Sequence, residues 1–160
     1  MKIESGYLYH IKDDYFNLVA DNSIMTNHGR GKKRPTYFTI KDGEILWFIP
    51  LSTQIDKYQK IIDKKILKYG TCNSILIRSI LGRPQAILLQ NAFPTLEKYI
   101  DHVHIINGKP AKVIDSLKEE ILENFKFMIK LKKHGKNLFF TDIDKIKKMM
   151  MDELEKETVK

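Results

Sequence analysis

With 160 residues, 42% hydrophobic and 30% charged, the chain is long enough to bury a core of its own, and its composition is that of an ordinary globular domain rather than a stapled mini-protein. A single cysteine, Cys72, excludes a disulfide framework and a cysteine-built zinc site. No apolar window approaches bilayer length and the first residues hold no apolar h-region, so a cytoplasmic location without membrane association is expected. The net charge is +8, and ten Lys or Arg against four Asp or Glu fall within residues 28–68. A basic excess confined to one stretch points to a polyanionic partner, most simply nucleic acid.

In chain order, Gly6 to Ile11 is aromatic and β-branched and predicts a strand. Asp13 to Ala20 predicts a short helix capped by Asp13 or Asp14. Residues 21–33, rich in Asn, Asp, Ser and Gly, predict a mobile loop. That loop runs into the basic cluster Arg30, Lys32, Lys33 and Arg34, which Pro35 follows. Two β-rich runs, Tyr37 to Ile40 and Ile45 to Ile49, flank Lys-Asp-Gly-Glu, and Asp42-Gly43 between them predicts a hairpin. Pro50 cannot donate to a ladder and is expected to end the second strand.

Ile55, Tyr58, Ile61, Ile62 and Ile66 recur at helical spacing, which predicts a helix over 55–69 stopped by Gly70. Residues 73–81 and 85–89 predict two strands joined by a turn at Gly82-Arg83-Pro84. Gln90 to Pro94 interrupts the pattern, and Val103 to Ile106 predicts a short strand closed by Asn107-Gly108. Residues 115–134 predict the longest helix, with Ser116 and Glu119 spaced as a capping box and a stripe of Leu117, Ile121, Phe125, Met128 and Leu131. Thr141-Asp142 caps a last helix carrying Ile143, Ile146, Met150 and Leu154 on one face, and residues 155–160 are expected to fray. About six strands and three long helices, strands early and helices late, predict a single α+β domain over residues 1–160 with a mainly antiparallel sheet and external helices.

Few residues are arranged for metal or cofactor chemistry. His102-x-His104 on a strand puts two imidazoles on one face, but no third ligand follows at a convincing spacing, and the pair reads as one face of a short strand. Asp142-x-Asp144 reads as helix-terminus chemistry. Gly29-x-Gly31 lacks the preceding strand that a phosphate loop requires, and Cys72 reads as a core residue. No metal and no cofactor are expected.

The hairpin supplies a stronger constellation. It brings its outer ends together, so Lys33 and Arg34 should face Ser52 and Thr53, with Lys57 on the helix that follows. Metal-free RNA cleavage needs a base for the 2′-hydroxyl, donors for the charge building on phosphate oxygens, and an acid for the leaving 5′-oxygen. Fixed cations opposite hydroxyls provide the second of these. Two other readings stand on the residues alone. Ser52 and Thr53 could simply cap the helix, and the basic stretch could belong to a non-catalytic RNA-binding module or to a solvated lysine-rich surface. A binding module would interleave aromatics with its cations, whereas Arg30 to Arg34 contains none and Tyr37 comes just after.

Arg34-Pro-Thr-Tyr-Phe38, Trp47-Phe-Ile-Pro-Leu-Ser-Thr53 and Leu89-Gln-Asn-Ala-Phe-Pro94 stand in that order around the lysine-rich helix. With Leu138-Phe-Phe-Thr-Asp-Ile-Asp-Lys145 near the end, they resemble the toxins of type III toxin–antitoxin systems. The nearest branch is the CptN family, with ToxN and the phage-abortive AbiQ more distant. The resemblance implies a metal-independent endoribonuclease with a compact, twisted antiparallel sheet like that of MazF and Kid. It implies cleavage of adenine-rich RNA to a 2′,3′-cyclic phosphate. It also implies processing of a repeat antitoxin RNA whose pseudoknots plug the active site in a closed protein–RNA assembly, with cellular or phage RNA as the other substrate and no obligate protein partner. Residue by residue, the hydroxyl pair carries over to Ser52 and Thr53, the strand-start cation to Lys33 or Arg34, and a lysine after the pair to Lys57. His28, Arg30, Lys32, Tyr37, Arg83 and Asn91 are the expected RNA contacts. The general base stays open, with His28 available by its chemistry alone.

Overall fold

The computed structural model describes residues 2–20, 28–29 and 32–158, at 28, 29, 32 and 33 the backbone alone. The strands are β1 (Leu8–Ile11), β2 (His28–Gly29), β3 (Lys32–Lys33), β4 (Thr36–Asp42), β5 (Ile45–Ser52), β6 (Leu76–Ile80), β7 (Arg83–Ile87), β8 (Phe93–Thr95), β9 (Ile100–Val103), β10 (Ile105–Ile106) and β11 (Lys109–Pro110). The helices are α1 (Asp13–Val19), α2 (Ile55–Tyr69), α3 (Asp115–Lys133) and α4 (Ile143–Thr158), with short 3-10 turns at Leu89–Asn91 and Glu97–Tyr99. Seven strands form one sheet in the order β6-β7-β5-β4-β1-β9, with β8 also paired to β5, and every pairing in it is antiparallel. The α+β class and the antiparallel sheet agree with the sequence reading.

The most apolar run of the chain becomes the central strand. All eight residues of β5 are buried, because both faces of the sheet are covered. On one face Trp47 meets Phe125 of α3 at 5.6 Å between ring centroids. On the other, Phe48 stacks on Phe38 of β4 at 5.2 Å and meets Phe93 of β8 at 6.2 Å. Tyr15 of α1 packs on Phe93 at 5.4 Å and donates its hydroxyl to the Pro94 carbonyl at 2.7 Å. A smaller cluster, Tyr58, Ile75, Ala86 and Leu88, lies under α2.

Four local expectations are corrected. Strand β5 does not stop at Pro50 but continues to Ser52. Pro50 stands opposite Thr36 of β4, between the stretch of β5 paired to β8 and the stretch paired to β7, and its carbonyl accepts the Leu88 amide at 3.0 Å. A missing N–H is tolerated where a strand changes partners. The β4–β5 turn is Gly43-Glu44 rather than Asp42-Gly43, since Asp42 pairs with Ile45; glycine at the first central position, φ 61°, is the type II′ pattern. Arg83 and Pro84 belong to β7, and the turn before them is Leu81-Gly82, with φ of 52° and 81°. Phe93–Thr95 is not an interruption but the short strand β8.

At the helix starts, α1 and α3 have no side-chain cap: Asp13, Asp14 and Asp115 sit inside the first turn and Ser116 follows them, so neither the expected caps nor the capping box forms. Only Asp142 caps as expected, accepting the Lys145 amide at 3.2 Å. Helix α2 spans the expected residues and ends at Gly70 with φ 80°. The expected loop over 21–33 falls largely outside the described residues; within it His28–Gly29 pairs with Lys32–Lys33.

Candidate active site

A cleft of about 780 Å³ opens where the end of β5 meets three other segments. Ser52, Thr53 and Gln54 form one wall. Arg34 and Pro35 lead into β4, and continuing the register Thr36 to Pro50 by two residues sets Arg34 across from Ser52. The tip of the β6–β7 hairpin contributes Leu81, Arg83 and Gln85, and the segment His104 to Asn107 closes the far side. Two guanidinium groups and no carboxylate are among the described lining residues, so the cleft is electropositive and suited to phosphate.

Ser52 is 7% exposed and its Oγ accepts the Gln54 amide at 3.1 Å. That bond is a tight turn before the helix, not a cap: Gln54 occupies the cap position and no side chain caps α2. The hydroxyl keeps its proton to donate into the cleft. Thr53 is exposed beside it.

His104 was not among the expected site residues as a base. Its backbone is pinned on both sides, the amide donating to the Leu8 carbonyl and the carbonyl accepting from the Ala111 amide, each at 2.8 Å. Its Nδ1 lies 2.8 Å from Nε2 of buried His10, which leaves Nε2 as the remaining ring nitrogen. His10 in turn stacks on His102, its cross-strand neighbour in β9, at 4.6 Å. Burial, and secondarily the nearby His102, hold the His104 imidazole below its ordinary pKa, so it is neutral and basic at physiological pH. The signal in the sequence was the alternation His102-x-His104; what it could not supply was His10 from the other end of the chain. Among the described residues, no group of three His, Cys, Asp or Glu side chains is placed to hold a metal ion.

Of the other expected residues, Arg83 lines the cleft. Lys57 is not in its lining; it is exposed one turn into α2, with Nζ 5.3 Å from the centroid of the Tyr58 ring. Asn91 is half-buried in the 3-10 turn, away from the lining. Tyr37 has to be corrected as an RNA contact. It is 1% exposed, and burial pushes its hydroxyl far above the ordinary range, because its place in the hairpin turns the ring into the core. Arg30 and the side chains of His28, Lys32 and Lys33 lie outside the described residues.

Neither a family model nor a curated protein matches this chain in sequence. Among solved structures, AbiQ, a lactococcal anti-phage endoribonuclease belonging to the type III toxin–antitoxin system, superposes with a TM-score of 0.74 at 12% identity, over 95% of this chain and 99% of AbiQ. At that identity the likeness is one of architecture: this chain has the α+β fold of AbiQ along nearly its whole length.

Proposed function

We propose that residues 1–160 form one endoribonuclease toxin domain of a type III toxin–antitoxin system, acting on RNA in the cytoplasm and held in check by an antitoxin RNA of pseudoknot repeats that it also processes. The observation that carries this reading is the convergence of Arg34, Arg83, Ser52, Thr53 and His104 in one cleft with no carboxylate among its described lining residues, in a chain that shares the fold of AbiQ.

The cleft's own side chains offer a base and charge-stabilising donors for transesterification. His104 Nε2 takes the proton of the ribose 2′-hydroxyl as that oxygen attacks the adjacent phosphorus. This requires the tautomer in which His104 donates from Nδ1 to His10. The Arg34 and Arg83 guanidiniums and the Ser52 and Thr53 hydroxyls stabilise the charge that builds on the phosphate oxygens. The P–O5′ bond breaks, leaving a 2′,3′-cyclic phosphate, and the 5′-oxygen takes a proton from the solvent or from Lys57, the lysine that the family resemblance offers for this step. Adenine-rich RNA is the expected target from the family resemblance alone.

Cleavage of single-stranded RNA should persist in EDTA, and the upstream fragment should end in a cyclic phosphate. If EDTA abolishes cleavage and Mg²⁺ or Mn²⁺ restores it, this mechanism is wrong. RNA binding with no cleavage under any condition would instead leave a non-catalytic binding module.

A further inference from the structure

Helix α2 starts at the cleft and runs away from it. Gln54, its cap residue, lines the cleft, and Tyr69 ends the helix about 18 Å from Lys57 at 1.5 Å per residue. Lys57, Lys60, Lys64 and Lys68 are all exposed. At 3.6 residues per turn they fall within an arc of roughly 80°, a single stripe along one flank, with Asp56 and Asp63 at its edge beside Lys60. Among the described residues none of the four meets a carboxylate at ion-pair distance.

The last lysine of the stripe stands against Tyr69, a ring about 100° further round the helix, and neither Tyr69 nor Phe140 belongs to the core. Tyr69 is 58% and Phe140 is 61% exposed. Ammonium groups stand over both rings: Lys68 and Lys136 are 5.2 and 5.4 Å from the Tyr69 centroid, and Lys65 is 5.6 Å from that of Phe140. A merely solvated lysine face would not carry two exposed rings, because large apolar groups clustered at a surface mark a contact site. Cations in a row followed by rings with cations beside them is the arrangement that binds single-stranded nucleic acid, phosphates on the row and bases on the rings.

We propose that the flank of α2 from Lys57 to Tyr69 and Phe140 is a track for the single-stranded RNA that extends from the cleft, lysines holding successive phosphates and the two rings stacking bases at the far end. The inference rests on the nuclease reading of the cleft and adds a second RNA site about three turns of helix away. It makes the protein sensitive to RNA length, since only a strand long enough to leave the cleft can reach the rings.

The test uses mixed-sequence single-stranded RNAs of about six and about eighteen nucleotides, with Lys60→Gln, Lys64→Gln and Lys68→Gln combined, and separately Tyr69→Ala and Tyr69→Phe. The triple variant should bind the long RNA more weakly, with its log–log salt slope reduced by about two, and should cleave the short RNA at the wild-type rate. Tyr69→Ala should weaken long-RNA binding about tenfold and Tyr69→Phe should restore it, because stacking needs the ring and not the hydroxyl. Loss on both RNAs equally, or on neither, overturns the track while leaving the cleft intact. A wild-type protein that neither binds nor cuts either RNA overturns the nuclease reading and the track with it. Loss of binding to phosphatidylserine vesicles, with RNA binding unchanged, would assign the surface to a membrane instead.

Discussion

At the scale of the residue, Ser52 tests whether the cleft is chemical or merely structural. Its Oγ holds a turn by accepting the Gln54 amide, worth about 1 kcal/mol. As an oxyanion donor it acts mainly in the transition state. Ser52→Ala should therefore lower single-turnover cleavage by roughly 10²-fold or more with RNA affinity changed only a few-fold. A small drop in melting temperature with full activity would leave Ser52 a turn residue. Arg34 and Lys32 should separate in the same assay. Arg34→Lys loses the planar fork that grips two phosphate oxygens and should depress the rate at saturating RNA, whereas Lys32→Gln should mainly flatten the salt dependence, by about 0.7 unit.

His104 gives the pH dependence. Its pKa lies below the ordinary 6.5, from burial first and then from His102. The base is thus already deprotonated at neutral pH, and kcat/KM should fall only on acidification, with its midpoint below 6.5. The same shift makes His104 a contributor to stability above pH 6.5 that is lost as pH falls through the folded-state value. Removing the like charge with His102→Gln should move the activity midpoint upward, while His104→Ala should cost roughly 10² to 10⁴ in rate. A midpoint above 6.5 would remove His104 from the base role.

At the scale of the element, the two hairpin tips that flank the cleft differ in chemistry. Asn107-Gly108 places the preferred pair at positive φ, 53° and 76°. Leu81-Gly82 places a leucine at φ 52°, which costs a non-glycine residue on the order of 1 kcal/mol. That leucine is 52% exposed and lines the cleft, so the strain sits where a substrate base can lie. Leu81→Asn should raise the melting temperature, since asparagine tolerates this conformation, while weakening binding of RNA in the cleft. Unchanged stability would mean that the turn is not strained.

The sequence made most elements legible because each carried its own period: α2, α3 and α4 through apolar stripes, the β4–β5 hairpin through Asp-Gly. It misled where proline was read as punctuation. Pro50, Pro84 and Pro94 all sit inside strands, the first two where a neighbouring strand ends or changes and Pro94 in a strand paired to β5 alone, and a rule about ladder donors cannot see which side of a strand is paired.

At the scale of the molecule, the part of the site held by local chain geometry was the readable part. Arg34 and Ser52 face each other because one hairpin joins them. Arg83 was expected to touch RNA, but its place opposite them follows from β7 pairing with β5 at Leu51–Ile87 and Ser52–Ala86, and nothing near Arg83 encodes that. His104 depends on β9 crossing back to β1, a pairing at one edge of the sheet between strands far apart in the chain. The fold itself was reached by resemblance of short segments, and the superposition on AbiQ bears that out at the level of architecture.

That wide separation of the cleft's parts has a consequence for how the protein comes into being. Leu8, Arg34, Ser52, Arg83 and His104 leave the ribosome at well-spaced times, and β1 cannot acquire its outer partner β9 until about two-thirds of the chain has been made. Long-range antiparallel pairings form late because the intervening loop must close first. A nascent chain held at the exit of the ribosome, among the densest RNA in the cell, therefore carries the β4–β5 hairpin and its hydroxyls but no assembled base. On the proposed reading, the translating ribosome is spared by topology until β9 and His104 have emerged.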